Sequence, residues 1–124
     1  MQLTQAQAEQ KARDWCDAWN RRELDAVLDH YAEDVEVCSP LVVKRMGRAD
    51  GVLHGKDELR AYFGRGMTND KLRFEFEDVR LGAGWMTVLY TRENGMRVSD
   101  TMKLDADGRA VQMIACYAGG ESDV

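Results

Sequence analysis

The stretch GWMTVLYTRENGMRVSDTMKL, residues 84–104, decides how the second half of this chain folds. Two alternating runs flank Asn94-Gly95, a strong short hairpin signal. In the second run Met96, Val98, Asp100, Met102 and Leu104 share one side at period two, and Arg97, Ser99, Thr101 and Lys103 share the other. The second set reads as a solvated strand face and the first as a core face. A carboxylate therefore stands in the middle of a core face. A two-residue turn at Asn94-Gly95 pairs Glu93 with Met96 and sets Asp100 opposite Leu89. A turn pairing Leu104 with Arg109 sets it opposite Met113 on the next strand. The same register turns Met86, Val88, Tyr90, Ile114 and Cys116 outward.

On the amino-terminal side of this hairpin, RFEFEDVRL (73–81) also alternates, with a phase shift at Asp78-Val79 that marks a bulge. On the other side, LDADGRAVQMIACYA (104–118) forms a second hairpin turning at Asp107-Gly108. Upstream the period is helical. Thr4 and Gln7 offer a capping box, and Ala8, Ala12, Trp15 and Trp19 form one face of a helix ending near Asn20. Leu24, Val27, Leu28 and Tyr31 repeat the pattern in a second helix. VEVCSP (35–40) is a short strand stopped by Pro40, and KRMGRADG (44–51) a basic loop. LHGKDELRAYFGRG (53–66) is a third short helix with Leu59, Tyr62 and Phe63 inward. Three helices and one short strand, then four long antiparallel strands, predict an α+β fold in which a curved antiparallel sheet wraps over three helices of the amino-terminal half.

The chain has 124 residues, 44% hydrophobic and 31% charged, which suits one domain spanning 1–124, with 119–124 reading as a flexible tail. Its net charge of −5 is interleaved along the sequence, which argues against nucleic acid or an anionic membrane as partner. No apolar run approaches the roughly 20 residues of a membrane span. MQLTQAQAEQ is polar and helix-like, unlike a signal peptide. Cys16, Cys38 and Cys116 are odd in number and scattered, fitting a reducing cytoplasm and buried, inert thiols. His30 and His54 lack partners at ligand spacing, so no metal is expected, and no glycine-rich phosphate loop is present.

NRRELDAVLDHYAEDVEVCSP (20–40) resembles the second helix and first strand of the nuclear-transport-factor-2-like superfamily, which includes ketosteroid isomerase and the SnoaL-like polyketide cyclases. LHGKDELRAYFGRG is similar to that fold's third helix. VSDTMKLDADGRAVQMIACYA (98–118) is similar to the last two strands of ketosteroid isomerase, including the D-x-x-G-R turn. The resemblance implies a cone of sheet around helices that encloses a mostly apolar pocket. It places Trp15, Trp19, Tyr31, Ser39, Leu41, Tyr62, Asp100, Met102, Met113 and Tyr117 in or near that pocket. It also implies roles. The isomerase's protonated aspartate falls on Asp100, its general base on Ser39 and its oxyanion-hole tyrosine on Trp15. A serine hydroxyl cannot take a proton from carbon unaided, and an indole N–H is a weaker acid than a phenol. Efficient ketosteroid isomerisation is therefore not expected.

Two functions follow from this reading. The first is a small-molecule pocket protein, or a cofactor-independent isomerase, cyclase or dehydratase, acting on a mostly apolar carbonyl compound with Asp100 as proton donor or oxyanion partner. Its base is Asp34, His30 or the substrate itself. The alternative is a non-catalytic ligand-binding or dimerising module with a vestigial pocket. No cofactor is expected; the partners expected are a small apolar or aromatic ligand and a second copy bound through the outer sheet face. Apolar neighbours around Asp100 predict a raised pKa by desolvation.

Overall fold

Thr4 begins the first element as foreseen: its Oγ accepts from the Gln7 N–H at 3.1 Å while Gln7 Oε1 accepts from the Thr4 N–H at 2.9 Å. The helix that follows, α1 (Gln5–Asn20), buries Ala8, Ala12, Trp15 and Trp19 on one face. The structure is a computed structural model and describes residues 2–118; the tail expected at 119–124 lies outside the described residues. After α1 come α2 (Leu24–Leu28), β1 (Tyr31–Cys38), α3 (Pro40–Met46), β2 (Val52–His54), α4 (Lys56–Gly66), β3 (Phe74–Leu81), β4 (Trp85–Arg92), β5 (Arg97–Leu104) and β6 (Ala110–Tyr117). The strands form one curved sheet in the order β2-β1-β6-β5-β4-β3. The helices of the amino-terminal half pack on its concave face, with α1 against β3. No helix among the described residues is long and apolar enough to cross a membrane.

The α+β cone is present, with three local differences from the sequence reading. Tyr31 opens β1 instead of closing a helix, because Ala110 N–H donates to the His30 carbonyl at 2.8 Å and Tyr31 pairs with Ala110 in a parallel ladder. Tertiary pairing outweighs the helical spacing there. Second, KRM of the expected basic loop is helical. Pro40 at the first helical position starts α3 as well as ending β1, Ser39 Oγ caps it by accepting from the Leu41 N–H at 3.2 Å, and Gly47 closes it at φ +67°. Third, β2 pairs antiparallel with β1 through Leu53 and Val37.

The two hairpin registers each move from the expected pairing. Arg92 N–H donates to the Met96 carbonyl at 2.8 Å and Gly95 N–H to the Arg92 carbonyl at 2.9 Å. With Gly95 at φ +81°, this is a three-residue loop, not a two-residue turn. Thr91 therefore pairs with Arg97, and Asp100 lies opposite Val88, not Leu89. Leu104 pairs with Ala110 instead of Arg109, and a register shift between Lys103 and Leu104 adds a second residue, which together set Asp100 opposite Ala115 instead of Met113. Asp100 keeps its inward face, but β4 turns over. Met86, Val88 and Tyr90 point into the core, not outward. The outer face keeps Ile114 and Cys116 and gains Leu89, and Ile114 is the one large apolar residue exposed among the described residues. The expected dimer face thus loses most of its apolar patch. Cys116 is exposed and Cys38 half-buried, so only Cys16 is the buried thiol expected of all three. β3 does carry a bulge, but between Phe76 and Asp78, one residue earlier than the Asp78-Val79 step read from the sequence.

Candidate functional site

β5 carries Asp100 into the concave face, where it is 2% exposed. Tyr90, one strand over, donates its hydroxyl to Asp100 Oδ2 at 3.2 Å, while Oδ1 has no hydrogen-bond partner. Burial pushes the Asp100 carboxyl up to about 7, against the Tyr90 hydrogen bond and the charge of Arg92, which pull it down. The raised direction agrees with expectation, but Arg92 is a cation that the sequence reading did not place nearby.

Asp100 forms part of the wall of a cavity between α1, α3, α4 and the sheet. Of the residues named from the sequence, Trp15, Trp19, Ser39, Leu41, Tyr62, Met113 and Tyr117 line it with Asp100. Tyr31 and Met102 do not. Tyr31 stands behind the wall, accepting from Trp15 Nε1 at 3.0 Å and facing Met113 Sδ at 3.5 Å. Met102 borders a separate crevice with Lys11, His30 and Met86. The Trp15 N–H is thus committed to Tyr31. The cavity has a volume of about 40 Å³, so at about 10–15 Å³ per buried water it holds a few waters. Ring packing fixes its walls: Phe74 lies 4.6 Å from Tyr90 and 5.0 Å from Trp19, centroid to centroid.

Neither side chain considered as a base lies in the cavity. Asp34 is exposed on β1. His30 sits against Lys11, its Nδ1 3.2 Å from Nζ, and burial followed by the Lys11 charge lowers its pKa to about 4. His54 lies on β2, mostly exposed, and its N–H donates to Glu58 Oε1 at 2.7 Å in a structural turn. Ser39 does line the cavity; besides capping α3, its Oγ accepts from the Tyr62 hydroxyl at 3.5 Å. Among the described residues no cluster of three or more His, Cys, Asp or Glu stands at metal-binding distance.

Tyr90, Arg92, Phe74 and Arg45 also line the cavity and were missed. The first two follow from the three-residue hairpin loop, for which Glu93-Asn94-Gly95, with glycine in the left-handed position, is the sequence signal. Arg92 is 9% exposed, its Nη2 lies 3.5 Å from Glu93 Oε2, and its guanidinium covers the Phe74 ring at 5.5 Å.

A family model for the SnoaL-like domain matches residues 12–118. Among solved structures, a SnoaL-like protein from Burkholderia thailandensis E264 is 35% identical, with 96% of this chain and 100% of that one covered and a TM-score of 0.90. A nuclear-transport-factor-2-like protein from Burkholderia pseudomallei K96243 is 24% identical over 94% of this chain and 92% of that one, TM-score 0.71. A protein with a cystatin-like fold from Methylobium petroleophilum PM1 is 14% identical over 95% and 80%, TM-score 0.73. The last two speak to the fold alone. No curated protein matches the sequence.

Proposed function

This chain belongs to the SnoaL-like family of the nuclear-transport-factor-2-like superfamily, and from that premise we propose that it is a cofactor-independent proton-transfer enzyme acting on a small, mostly apolar carbonyl compound, with Asp100 as the proton donor. The observation that carries this reading is one buried carboxyl in a cavity wall with an unpartnered oxygen. Among the residues lining the cavity, Asp100 is the only carboxylic acid. With its pKa near 7, it holds both protonation states at neutral pH, which suits a group that must give a proton and recover it. The Tyr90 hydroxyl fixes its orientation through Oδ2 and leaves Oδ1 for a ligand. As a carbonyl oxygen gains charge on enolisation, protonated Asp100 donates to it. The α-proton passes to water or to a basic group on the substrate, because Ser39 supplies no carboxylate. Isomerisation, cyclisation and dehydration all share this step.

The test is exchange of ketone α-protons for deuterium, followed by NMR, with and without the protein. We expect catalysed exchange that falls as pH rises through about 7, because the donor is the protonated acid, and that disappears in Asp100→Asn. Exchange unaffected by that change would refute the assignment. A second reading, a binding module without turnover, is favoured by one observation: the Trp15 N–H is held by Tyr31 and is not free for a ligand. Tight ligand binding with no exchange in any ketone tested would select it.

A further inference from the structure

We infer that the ligand of this cavity is a small carboxylate, its two oxygens received by the indole N–H of Trp19 and the Nε–H of Arg92. The inference rests on the cavity being the working site and names the class of molecule it takes. Among the described residues three buried side-chain polar atoms lack a hydrogen-bond partner: Trp19 Nε1, Arg92 Nε and Asp100 Oδ1. All three belong to residues lining this one cavity. Buried polar groups in folded proteins are almost always satisfied, so three unmet groups around one space mark what the space is built to hold.

Two of the three are donors that carry one hydrogen each and cannot accept. A ligand must therefore bring acceptors. The charge around them decides which acceptors. Arg92 is nearly enclosed, and Glu93, the one carboxylate within ion-pair distance of it among the described residues, meets it only through Nη2 at 3.5 Å. Glu93 also accepts from Asn69 Nδ2 at 3.3 Å and from the Arg73 N–H at 3.2 Å, so its charge is shared. A second guanidinium, Arg45 of α3, lines the same cavity and has no ion-pair partner among the described residues. Gly66 places it: a Cβ there would meet Arg45 Nη1 at 3.3 Å and Trp19 Cζ3 at 3.6 Å, so the absence of a side chain lets the guanidinium lie close to the benzene edge of the indole. Two cations face one carboxylic acid, and a neutral carbonyl would leave that positive charge unanswered.

A planar carboxylate has two oxygens for two N–H groups and one negative charge for the guanidinium. A phosphate brings more oxygens and more charge than these donors meet. The surrounding Phe74 and Phe63 rings suit a flat unsaturated or aromatic body, and because the space as it stands holds only a few waters, a ring enters as these side chains move apart. Such an anion also keeps Asp100 in its protonated, donating form.

Benzoate, benzamide and benzyl alcohol are the probes, with binding followed by calorimetry and by the indole N–H signals in nitrogen-15 spectra. Benzoate should bind at least tenfold more tightly than benzamide and shift the Trp19 indole signal, which is assigned by its loss in Trp19→Phe. Arg92→Met should abolish the preference for benzoate. If that variant does not fold, Arg92→Lys keeps the charge without the Nε–H and should weaken benzoate about tenfold, as should Trp19→Phe. Equal affinity for benzoate and benzamide, an unmoved Trp19 signal, or a benzoate preference that survives these changes would overturn the inference. The readout is binding alone. Benzoate bound in this way without ketone exchange would refute the proton-transfer function and leave the ligand class standing, and exchange without any benzoate preference would do the reverse.

Discussion

Replacing Asp100 by asparagine tests the electrostatics of the cavity directly. In the folded chain burial holds the carboxyl near 7, whereas an unfolded aspartate titrates near 3.8. The folded pKa is the higher one, so the unfolded state releases the proton first as pH rises. Stability is then complete below about pH 4 and falls until about pH 7, after which the loss is constant. Roughly three pH units at 1.36 kcal/mol each put the total near 4 kcal/mol. Asparagine stays neutral throughout, and its amide oxygen can still accept from Tyr90. Its extra N–H hydrogens add a pH-independent cost of about 1 kcal/mol. Urea unfolding followed by tryptophan fluorescence at several pH values from 4 to 8 gives the number. The stability of Asp100→Asn relative to the parent should rise by about 3–4 kcal/mol between pH 4 and pH 7.5. A difference that stays flat with pH, or a variant less stable than the parent at pH 7.5, would mean that Asp100 is ionised and paired in the folded protein, and the reasoning fails.

His30 should show the opposite slope: its folded pKa of about 4 lies below the ordinary 6.5, so stability is present above 6.5 and is lost as pH falls toward 4, and His30→Asn should remove that acid-side loss in the same unfolding series. The two slopes oppose each other between pH 4 and 6.5, so the parent's own profile should be flatter than that of either variant. Tyr90→Phe removes the hydrogen bond that favours the Asp100 carboxylate; it should cost about 1 kcal/mol and move the pH limb of proton exchange upward, and an unmoved limb would mean that the two side chains are not coupled. Ellman's reagent should label exposed Cys116 in the folded protein and leave Cys16, whose thiol burial pushes up to about 12, unlabelled until urea unfolds the chain.

The core face of β5 was legible because a period of two needs no knowledge of partners. Asp100 among Val98, Met102 and Leu104 is buried in every register that keeps that face inward. The faces of β4 were not legible in the same way. They depend on whether Asn94-Gly95 makes a two- or a three-residue loop, and a one-residue slip turns every side chain over. That slip hid Tyr90, which donates to Asp100, and Arg92, whose charge acts on it, and gave the outer face an apolar patch it does not have. Ser39 shows a different limit. It lines the cavity, but its capping of α3 depends on Pro40 sitting at a helix start, which a strand ending in proline also explains.

The parallel pairing of β1 with β6 has a consequence for how the chain is made. β3 to β6 can zip together as successive hairpins, each strand meeting the one just synthesised. β1 must wait, since Tyr31 finds its partner only when Ala110 has emerged. Trp15 and Trp19 reach the cavity from one end of the chain, and Met113 and Tyr117 from the other. Such distant contacts slow folding, because the entropy of closing a long loop must be overcome before the pairing rewards it. The site has no partial form on the ribosome: until the sixth strand arrives, the two tryptophans lack their opposite wall, and these apolar rings are the surface a chaperone would meet.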